Sequence, residues 1–162
     1  MSDVSTARTF SQLVADSLEH VEEIFPWDLE EILDSYDSVL LLDIREPHEF
    51  NAMHIRNSLN VPRGVLESAC DWGYEETIPE LVEARERDII VICRSGNRSA
   101  LACDIMQKMG YKSVKSLKTG LRGWNDYEQE LVDGEGKVVD IELADDYFTS
   151  RVSKEQLGPS AS

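Results

Sequence analysis

Residues 89–111 read IIVICRSGNRSALACDIMQKMGY and contain the elements that decide the fold. Branched apolar residues lead into Cys93, and a run of polar or small residues follows it. A helical pattern then covers 99–109 and ends at Gly110, a residue type common just past the last turn of a helix. Short uninterrupted apolar runs are typical of strands buried on both faces. The stretch therefore predicts a buried strand, a tight loop and a helix.

Apolar runs of the same kind recur along the chain and alternate with helical patterns. The runs predicted as strands are SVLLLDIRE (38–46), LNVP (59–62), IIVIC (89–93), SVKSL (113–117) and, less regular, residues 137–143. The patterns predicted as helices are an amphipathic one at 9–23 and others at 27–36, 46–52, 78–86 and 99–109. This alternation predicts an α/β fold with a mostly parallel, centrally buried sheet.

The formal charge of −16 is concentrated at the two ends of the chain. Residues 1–38 contain ten acidic residues and one basic residue, 125–162 contain ten and three, and 39–124 are neutral. An acidic surface disfavours nucleic acid and anionic membranes as partners. Solubility accounts for these acids more simply than a dedicated acidic docking face does.

The cysteine count and the length of the apolar runs bear on the location of the protein. Three cysteines are an odd number, which argues against a disulfide framework and for a reducing compartment. The apolar runs are too short to span a bilayer, and the first residues lack the pattern of a secretion signal. We predict a cytoplasmic protein without a membrane partner.

Cys93 is the candidate nucleophile. Ligands of parallel α/β sheets bind beyond the carboxyl ends of the strands, and Cys93 stands at such an end. The loop that follows turns backbone N–H groups toward the positive end of the next helix. Gly96 permits a positive φ angle, and Arg94 and Arg98 add positive charge. This environment favours a reactive thiolate over a structural cysteine that merely ends a strand.

The chain resembles the rhodanese family of sulfurtransferases over about residues 24–131. Five motifs in a fixed order carry the resemblance: LLLDIREPHEF (40–50), HIRNSLNVP (54–62), VICRSGNRSA (91–100), KMGY (108–111) and LKTGLRGW (117–124). The resemblance implies a rhodanese-like five-stranded sheet with helices on both faces. Residues 1–23 are then an N-terminal helical extension, and 132–162 are an acidic C-terminal extension whose last six or so residues are disordered.

The resemblance also implies the chemistry and the partners. Cys93 would accept a sulfane sulfur from a small anionic donor such as thiosulfate and become a persulfide. That sulfur would pass to cyanide, a thiol or a sulfur-carrier protein, and an acidic field would steer a basic acceptor protein toward the site. We predict no cofactor and no metal, because the three histidines show no ligand spacing with each other or with the cysteines.

Roles are also expected for other residues around Cys93: the donor-binding and ion-pair roles follow from the resemblance, whereas the pocket-wall roles are our own hypothesis. The residues expected to bind the donor are Arg94, Ser95, Gly96, Asn97, Arg98 and Ser99. The candidates for the pocket wall are Trp124, Arg45 and, folded over the site from the long polar loop 67–77, Trp72 and Tyr74. An ion pair or cap at the end of the neighbouring strand is the structural role expected for Asp43, Arg45 and Glu49.

Three further positions carry expectations of their own. Cys103 lies on an apolar helix face and is predicted to be a core residue. A solvent-facing position without a role is a simpler expectation for Cys70 than sulfur relay. Asn57 stands where the rhodanese family usually has glycine, and asparagine tolerates the left-handed turn required there.

Two alternatives to the transferase stay open. A catalytically idle rhodanese-like module used for protein contact is disfavoured by the intact cysteine and loop. A cysteine phosphatase or an arsenate reductase of similar fold would use a loop one residue longer than the four residues between Cys93 and Arg98. Many phosphatases also place a histidine directly before the cysteine, where this chain has Ile92.

Overall fold

The computed structural model of the protein describes residues 6–35 and 38–159. Its centre is a parallel sheet of five strands in the order β1-β5-β4-β2-β3. The strands are β1 (Glu22–Ile24), β2 (Leu40–Asp43), β3 (Leu59–Asn60), β4 (Asp88–Ile92) and β5 (Ser113–Leu117). The predicted α/β class, the number of strands and their parallel arrangement are confirmed, although one of the five strands is not the one predicted.

Helices cover both faces of the sheet. They are α1 (Phe10–Leu18), α2 (Pro26–Ser35), α3 (Pro47–Ala52), α4 (Leu66–Ala69), α5 (Pro79–Val82), α6 (Asn97–Lys108), α7 (Gly120–Asp126) and α8 (Ile141–Tyr147). Apolar residues of α4, α5 and α6, together with Leu18 at the end of α1, pack on one face, and those of α2, α7 and α8 pack on the other. Strand residues alternate between the two layers, so β4 contributes Ile89 and Val91 to the first and Ile90 and Ile92 to the second.

The first strand corrects the predicted helix at 9–23. Helix α1 ends at Leu18, and β1 pairs with β5 through Glu22, Glu23 and Ile24. This strand lies at the edge of the sheet, and only Ile24 of the three residues is buried. Because its carboxylates face solvent, β1 lacks the apolar run by which the other strands are recognised.

The predicted strand at 137–143 is wrong. Residues 141–147 form helix α8, and the side chain of Asp140 caps it by accepting a hydrogen bond of 2.8 Å from the N–H of Glu142. Only Val138 of this stretch takes part in an isolated β-bridge, which it makes with Val132. A well-placed N-cap therefore prevailed over the alternating apolar pattern of VDIEL.

The C-terminal extension is in part built into the domain. Ala144 and Phe148 are buried in the layer on the α2 side of the sheet. The side-chain amide of Asn125 donates a hydrogen bond of 2.6 Å to Asp145. The predicted disorder at the end of the chain concerns 157–162, of which 160–162 lie outside the described residues. Tyr36, the last residue of the predicted helix 27–36, lies outside them as well.

One smaller expectation, on Asn57, is confirmed. Asn57 has a φ angle of +70°, as expected for an asparagine in the place of a glycine. No helix in the described part of the chain is long and apolar enough to cross a membrane.

Candidate active site

The loop after β4 surrounds the sulfur atom of Cys93. The N–H of Gly96 donates a hydrogen bond to Sγ at 3.1 Å, and the N–H of Ser99 donates one at 3.3 Å. The hydroxyl of Ser99 lies 3.3 Å from Sγ and 2.7 Å from the hydroxyl of Ser116 on β5. Since Gly96 caps α6 and Ser99 lies in its first turn, the sulfur sits at the positive end of that helix.

This arrangement suits a sulfur anion. Two N–H groups and one hydroxyl converge on Sγ, and all three are able to donate to a thiolate. In that state the Ser99 hydroxyl donates to sulfur and the Ser116 hydroxyl donates to Ser99. The side chain of Cys93 is only 1% exposed, so little water competes for these hydrogen bonds.

The first turn of α7 closes the other side of the loop. Gly96 has a φ angle of +93°, and a Cβ atom there would lie 3.1 Å from the backbone nitrogen of Thr119. A Cβ atom on Gly120 would lie 2.6 Å from the carbonyl oxygens of Cys93 and Arg94. The N–H groups of Leu121 and Arg122 donate to those same two carbonyls, each at 3.0 Å. Backbone packing with no room for side chains therefore fixes the loop.

Arg98 forms a two-pronged ion pair with Glu49 of α3. The two hydrogen bonds measure 3.2 and 3.1 Å, and the side chain of Glu49 is 15% exposed. Burial is the largest single influence on both groups and opposes their charges. The hydrogen bonds and the opposite charges nevertheless outweigh it, so the pKa of Glu49 is lowered and the pKa of Arg98 is raised.

Asp43 and Arg45 form a second ion pair, which is fully buried at the end of β2. The guanidinium donates to both carboxylate oxygens of Asp43, with the shortest contact at 2.8 Å, and to the carbonyl of Met53 at 2.7 Å. The backbone N–H of Arg45 also donates to Asp43 at 3.1 Å. This pair ties the end of β2 to the end of α3, which corresponds to the structural role predicted for it.

Arg94 is directed away from the sulfur. Its Nη2 donates to the carbonyl oxygens of Phe148 at 3.0 Å and Thr149 at 3.2 Å, just past the end of α8. Ser95 and Asn97 are exposed on the outer side of the loop. Of the residues predicted to bind the donor, Gly96 and Ser99 contact Sγ directly, and they do so chiefly through their backbone.

Sequence comparison places this geometry in a family. The model of the rhodanese-like domain matches residues 26–127. The chain belongs to the rhodanese-like domain family.

Named relatives of this rhodanese-like domain include sulfurtransferases. A sulfurtransferase of Allochromatium vinosum is 32% identical over 116 residues, which are 72% of this chain and 99% of that protein. A Schizosaccharomyces pombe protein, provisionally named a mitochondrial thiosulfate sulfurtransferase, is 37% identical over 55% of this chain and 65% of its own length. A Bacillus subtilis protein, provisionally named a sulfur carrier, is 34% identical over 57% of this chain and 44% of its own length. The chain thus spans less than two thirds of these last two relatives.

Solved structures share the fold. A protein of unknown function from Rhodopseudomonas palustris, described as a possible tyrosine phosphatase, is 28% identical with a TM-score of 0.66 over 80% of this chain and 97% of its own. A thiosulfate sulfurtransferase from Pseudomonas aeruginosa has a TM-score of 0.61 at 22% identity, over 84% of this chain and 26% of its own. The second likeness concerns the fold alone.

Within the rhodanese-like domain, the structure does not bring Trp72 and Tyr74 to Cys93. Both side chains are more than half exposed, at 54% and 56%, in the turn after Cys70. The carbonyl of Cys70 accepts a hydrogen bond from Arg85, whose guanidinium lies 4.7 Å from the centre of the Tyr111 ring. Arg85 and Tyr111 stand shortly before β4 and β5. This turn therefore lies near the amino ends of the strands, at the opposite end of the sheet from Cys93.

The other two candidates for the pocket wall are core residues. Trp124 is 3% exposed, packs in the layer on the α2 side and donates from Nε1 to the carbonyl of Glu130 at 3.1 Å. Arg45 is 0% exposed and is held by Asp43. Trp124 packs against the face of the sheet on the α2 side, because α7 covers the apolar side chains of β4 and β5 there.

The other two cysteines are buried in the core. Cys103 of α6 lies in the core as predicted, and burial raises the pKa of its thiol. Cys70 is 0% exposed, which corrects the expected solvent-facing position, and burial raises its pKa as well. Neither thiol is in a state suited to nucleophilic attack. In the described part of the chain, no group of three or more metal-ligating side chains comes together.

Sequence reasoning missed the contribution of residues 118–122. Thr119 and Gly120 touch the Cys93 loop through backbone atoms. The N–H of Arg122 donates to the carbonyl of Arg94 in that loop, and Arg122 is exposed. In the sequence, the motif TGLRG contributed only to the family resemblance. Its first glycine, Gly120, was the available signal, since a glycine in such a motif can indicate a close approach of two backbones.

Proposed function

We propose that this rhodanese-like domain is a sulfurtransferase that carries sulfane sulfur on Cys93. One observation carries the proposal: the N–H groups of Gly96 and Ser99 and the hydroxyl of Ser99 converge on a single sulfur atom. Such a set of donors stabilises the thiolate at Sγ before the second sulfur atom is attached, and again when that sulfur is passed on and the electron pair returns to Sγ. In this proposal, Gly96 and Ser99 bind the sulfur anion, and Cys93 is the nucleophile.

In the first step, the thiolate of Cys93 attacks the outer sulfur of an anionic donor such as thiosulfate. A bond forms between the two sulfur atoms, the sulfur–sulfur bond of thiosulfate breaks, and sulfite leaves with the bonding electron pair. Cys93 becomes a persulfide anion, and no proton is taken up or released. The charge of the exposed Arg122 favours the approach of an anion to this end of the sheet.

In the second step, a nucleophile attacks the outer sulfur of the persulfide. Cyanide leaves as thiocyanate, and a thiolate leaves as a new persulfide; in each case the electron pair returns to Sγ and restores the thiolate of Cys93. A relative provisionally named a sulfur carrier supports a protein thiol or a carrier as the acceptor. Adenylyltransferase and sulfurtransferase proteins of Drosophila virilis and Candida albicans also match this region.

Donor binding rests mainly on backbone atoms in this proposal. Arg98 is shared with Glu49, and Arg94 is held by two carbonyls, so neither offers an unshared charge at Sγ. Ser95 and Asn97 lie on the outer side of the loop and would meet the donor or the acceptor at its entrance. A cytoplasmic, reducing setting accords with three cysteines that are all free.

A phosphatase is the second candidate, since one structural neighbour is described as a possible tyrosine phosphatase. Four residues separate Cys93 from Arg98, and Arg98 is occupied by Glu49, so a tetrahedral phosphate has few donors to bind. An idle contact module is the third candidate, and the intact ring of donors around Cys93 argues against it.

Intact-mass measurement after incubation with thiosulfate tests the proposal. We expect the wild-type chain to gain the mass of one sulfur atom and to lose it again when cyanide is added. The Cys93→Ser variant should gain nothing, whereas Cys103→Ser should behave like the wild type. A folded wild-type chain that gains no sulfur, or one that hydrolyses a phosphate ester instead, would overturn the assignment.

A further inference from the structure

We propose that an exposed aromatic surface beside the Cys93 loop docks a basic segment of the protein that accepts the sulfur. The surface consists of Phe25, Trp27 and Tyr127, and we call it the aromatic surface. The inference rests on the proposed sulfurtransferase function and adds the kind of partner and the place where it binds.

Three large aromatic side chains lie together in solvent at this place. Phe25, Trp27 and Tyr127 are 39%, 49% and 40% exposed. The rings of Phe25 and Trp27 stack with their centres 4.6 Å apart, and the ring of Tyr127 meets Trp27 edge-on at 5.9 Å. A soluble domain gains nothing from exposing such a cluster, and contiguous exposed apolar area marks interaction sites.

The aromatic surface adjoins the active-site loop. Phe25 directly follows β1, and the N–H of Lys118 donates to the carbonyl of Ile24 at 2.9 Å, where β5 ends. The next residue, Thr119, is the one whose backbone nitrogen packs against Gly96. A groove of about 340 Å³ runs between Trp27 and Tyr127 and reaches Thr119. A segment bound there therefore lies at the edge of the sheet where Cys93 reacts.

The charges around the aromatic surface favour a cationic occupant. Segments 25–31 and 118–130 together carry six carboxylates and two basic residues, and one of the six carboxylates, Glu130, is already paired with Arg56. Asp126 lines the groove itself, and Asp28 is exposed next to Trp27. One of the two basic residues, Lys118, already places its Nζ 4.9 Å from the centre of the Phe25 ring, so the chain itself shows a cation held on this cluster.

A lysine or arginine side chain of a protein partner fits these features together. Its stem would lie in the groove against the rings of Trp27 and Tyr127, and its charge would reach Asp126. Thiosulfate and cyanide are anionic and too small to bridge from the groove to the loop. The aromatic surface thus serves a macromolecular acceptor, and small acceptors do not need it.

Two thiol peptides of the same length, one containing two lysines and one two glutamates, test the inference. The full-length chain is loaded with sulfur from thiosulfate and desalted, and the persulfide formed on each peptide is quantified by mass spectrometry. We expect transfer to the lysine peptide to be at least about tenfold faster at low salt. In Trp27→Ala, transfer to the lysine peptide should fall about fivefold, the factor that corresponds to about 1 kcal/mol of cation–π interaction.

Controls separate docking from chemistry. Transfer to cyanide should be unchanged in Trp27→Ala, and Trp72→Ala, which removes an equally exposed tryptophan from the opposite edge, should leave both peptides unaffected. A lysine peptide with serine in place of cysteine, titrated by tryptophan fluorescence, reports binding even if no sulfur is transferred. Failure of loading alone would contradict the sulfurtransferase function. Equal rates for both peptides, or equal losses in Trp27→Ala and Trp72→Ala, would overturn the docking site.

Discussion

Arg94 of the active-site loop donates a hydrogen bond of 3.0 Å to the carbonyl of Phe148, which lies beyond the end of α8. This contact joins the loop to a segment outside the region that matches the family model. Since Phe148 is itself buried, the carbonyl is held in place by the core. Arg94 therefore braces the loop against the core, and its predicted role as a ligand of the donor stays a prediction.

Replacement of Arg94 by Gln tests that role. We expect the free energy of unfolding to fall by about 1–2 kcal/mol, because a charged donor to two carbonyls is lost. The KM for thiosulfate should change by less than about threefold, a difference well under 1 kcal/mol. Chemical denaturation and steady-state kinetics measure the two effects. A large rise in KM with unchanged stability would return Arg94 to the donor-binding site.

Ser99 is the residue whose side chain and backbone both contact Sγ. In Ser99→Ala, the hydroxyl donor is lost while the two N–H donors remain, so we expect sulfur transfer to slow about tenfold to a hundredfold. Ser116→Ala removes only the group that orients Ser99 and should have a smaller effect. Single-turnover release of sulfite provides the measurement, and equal losses in both variants would speak against direct contact with the reacting sulfur.

Gly96 and Gly110 form a matched pair, since each has a φ angle of +93°. Alanine at either position costs about 1–2 kcal/mol for the left-handed backbone. Only at Gly96 would the new methyl group press on Thr119, since no atom lies within 4 Å of a Cβ at Gly110. We therefore expect the midpoint temperature of thermal unfolding to be lower in both variants, and sulfur transfer to be lost in Gly96→Ala alone. Comparable activity in the two would contradict the tight packing of Gly96 on Thr119.

The ion pair of Glu49 with Arg98 predicts a pH-dependent stability. The pKa of Glu49 is lowered below the ordinary 4.5 by Arg98 and a backbone hydrogen bond, which outweigh the opposing effect of burial. A carboxyl with a lowered folded-state pKa stabilises the fold fully above its unfolded pKa, and this contribution is lost as pH falls through the folded value. Glu49→Gln should therefore be less stable than the wild type near pH 7, and the two should converge in acid once the pH lies below the lowered folded-state pKa of Glu49. Urea unfolding at several pH values measures the difference. A gap that persists into strong acid would show that the charge of Glu49 is not its source.

The sequence was sufficient to predict the sheet wherever a strand is buried on both faces. Strands β2 and β4 are short continuous apolar runs bounded by charged or polar residues, a pattern typical of central parallel strands. The edge strand β1 was missed because two of its three residues are glutamates that are not buried. Helix α8 was missed because its apolar residues happen to alternate, and only the cap at Asp140 distinguishes it from a strand.

The site was predictable to the extent that it is local in sequence. Cys93, Gly96 and Ser99 lie within seven consecutive residues, so the ring of donors follows from one short motif. The contacts of Arg94 with Phe148 and of Gly96 with Thr119 join distant segments and require the fold. The position predicted for Trp72, over the Cys93 loop, overlooked a feature of parallel sheets. A chain that leaves the carboxyl end of one parallel strand must return to the amino end of the next before that strand begins.

The packing of α8 has a practical consequence for chimeras. A segment excised at the limits of the family match would lose the buried side chain of Phe148 and the two carbonyl groups that hold Arg94. Such a fragment would expose apolar surface to water, and its Cys93 loop would be held less firmly. Transfer of this domain into another protein should therefore include the polypeptide through Thr149.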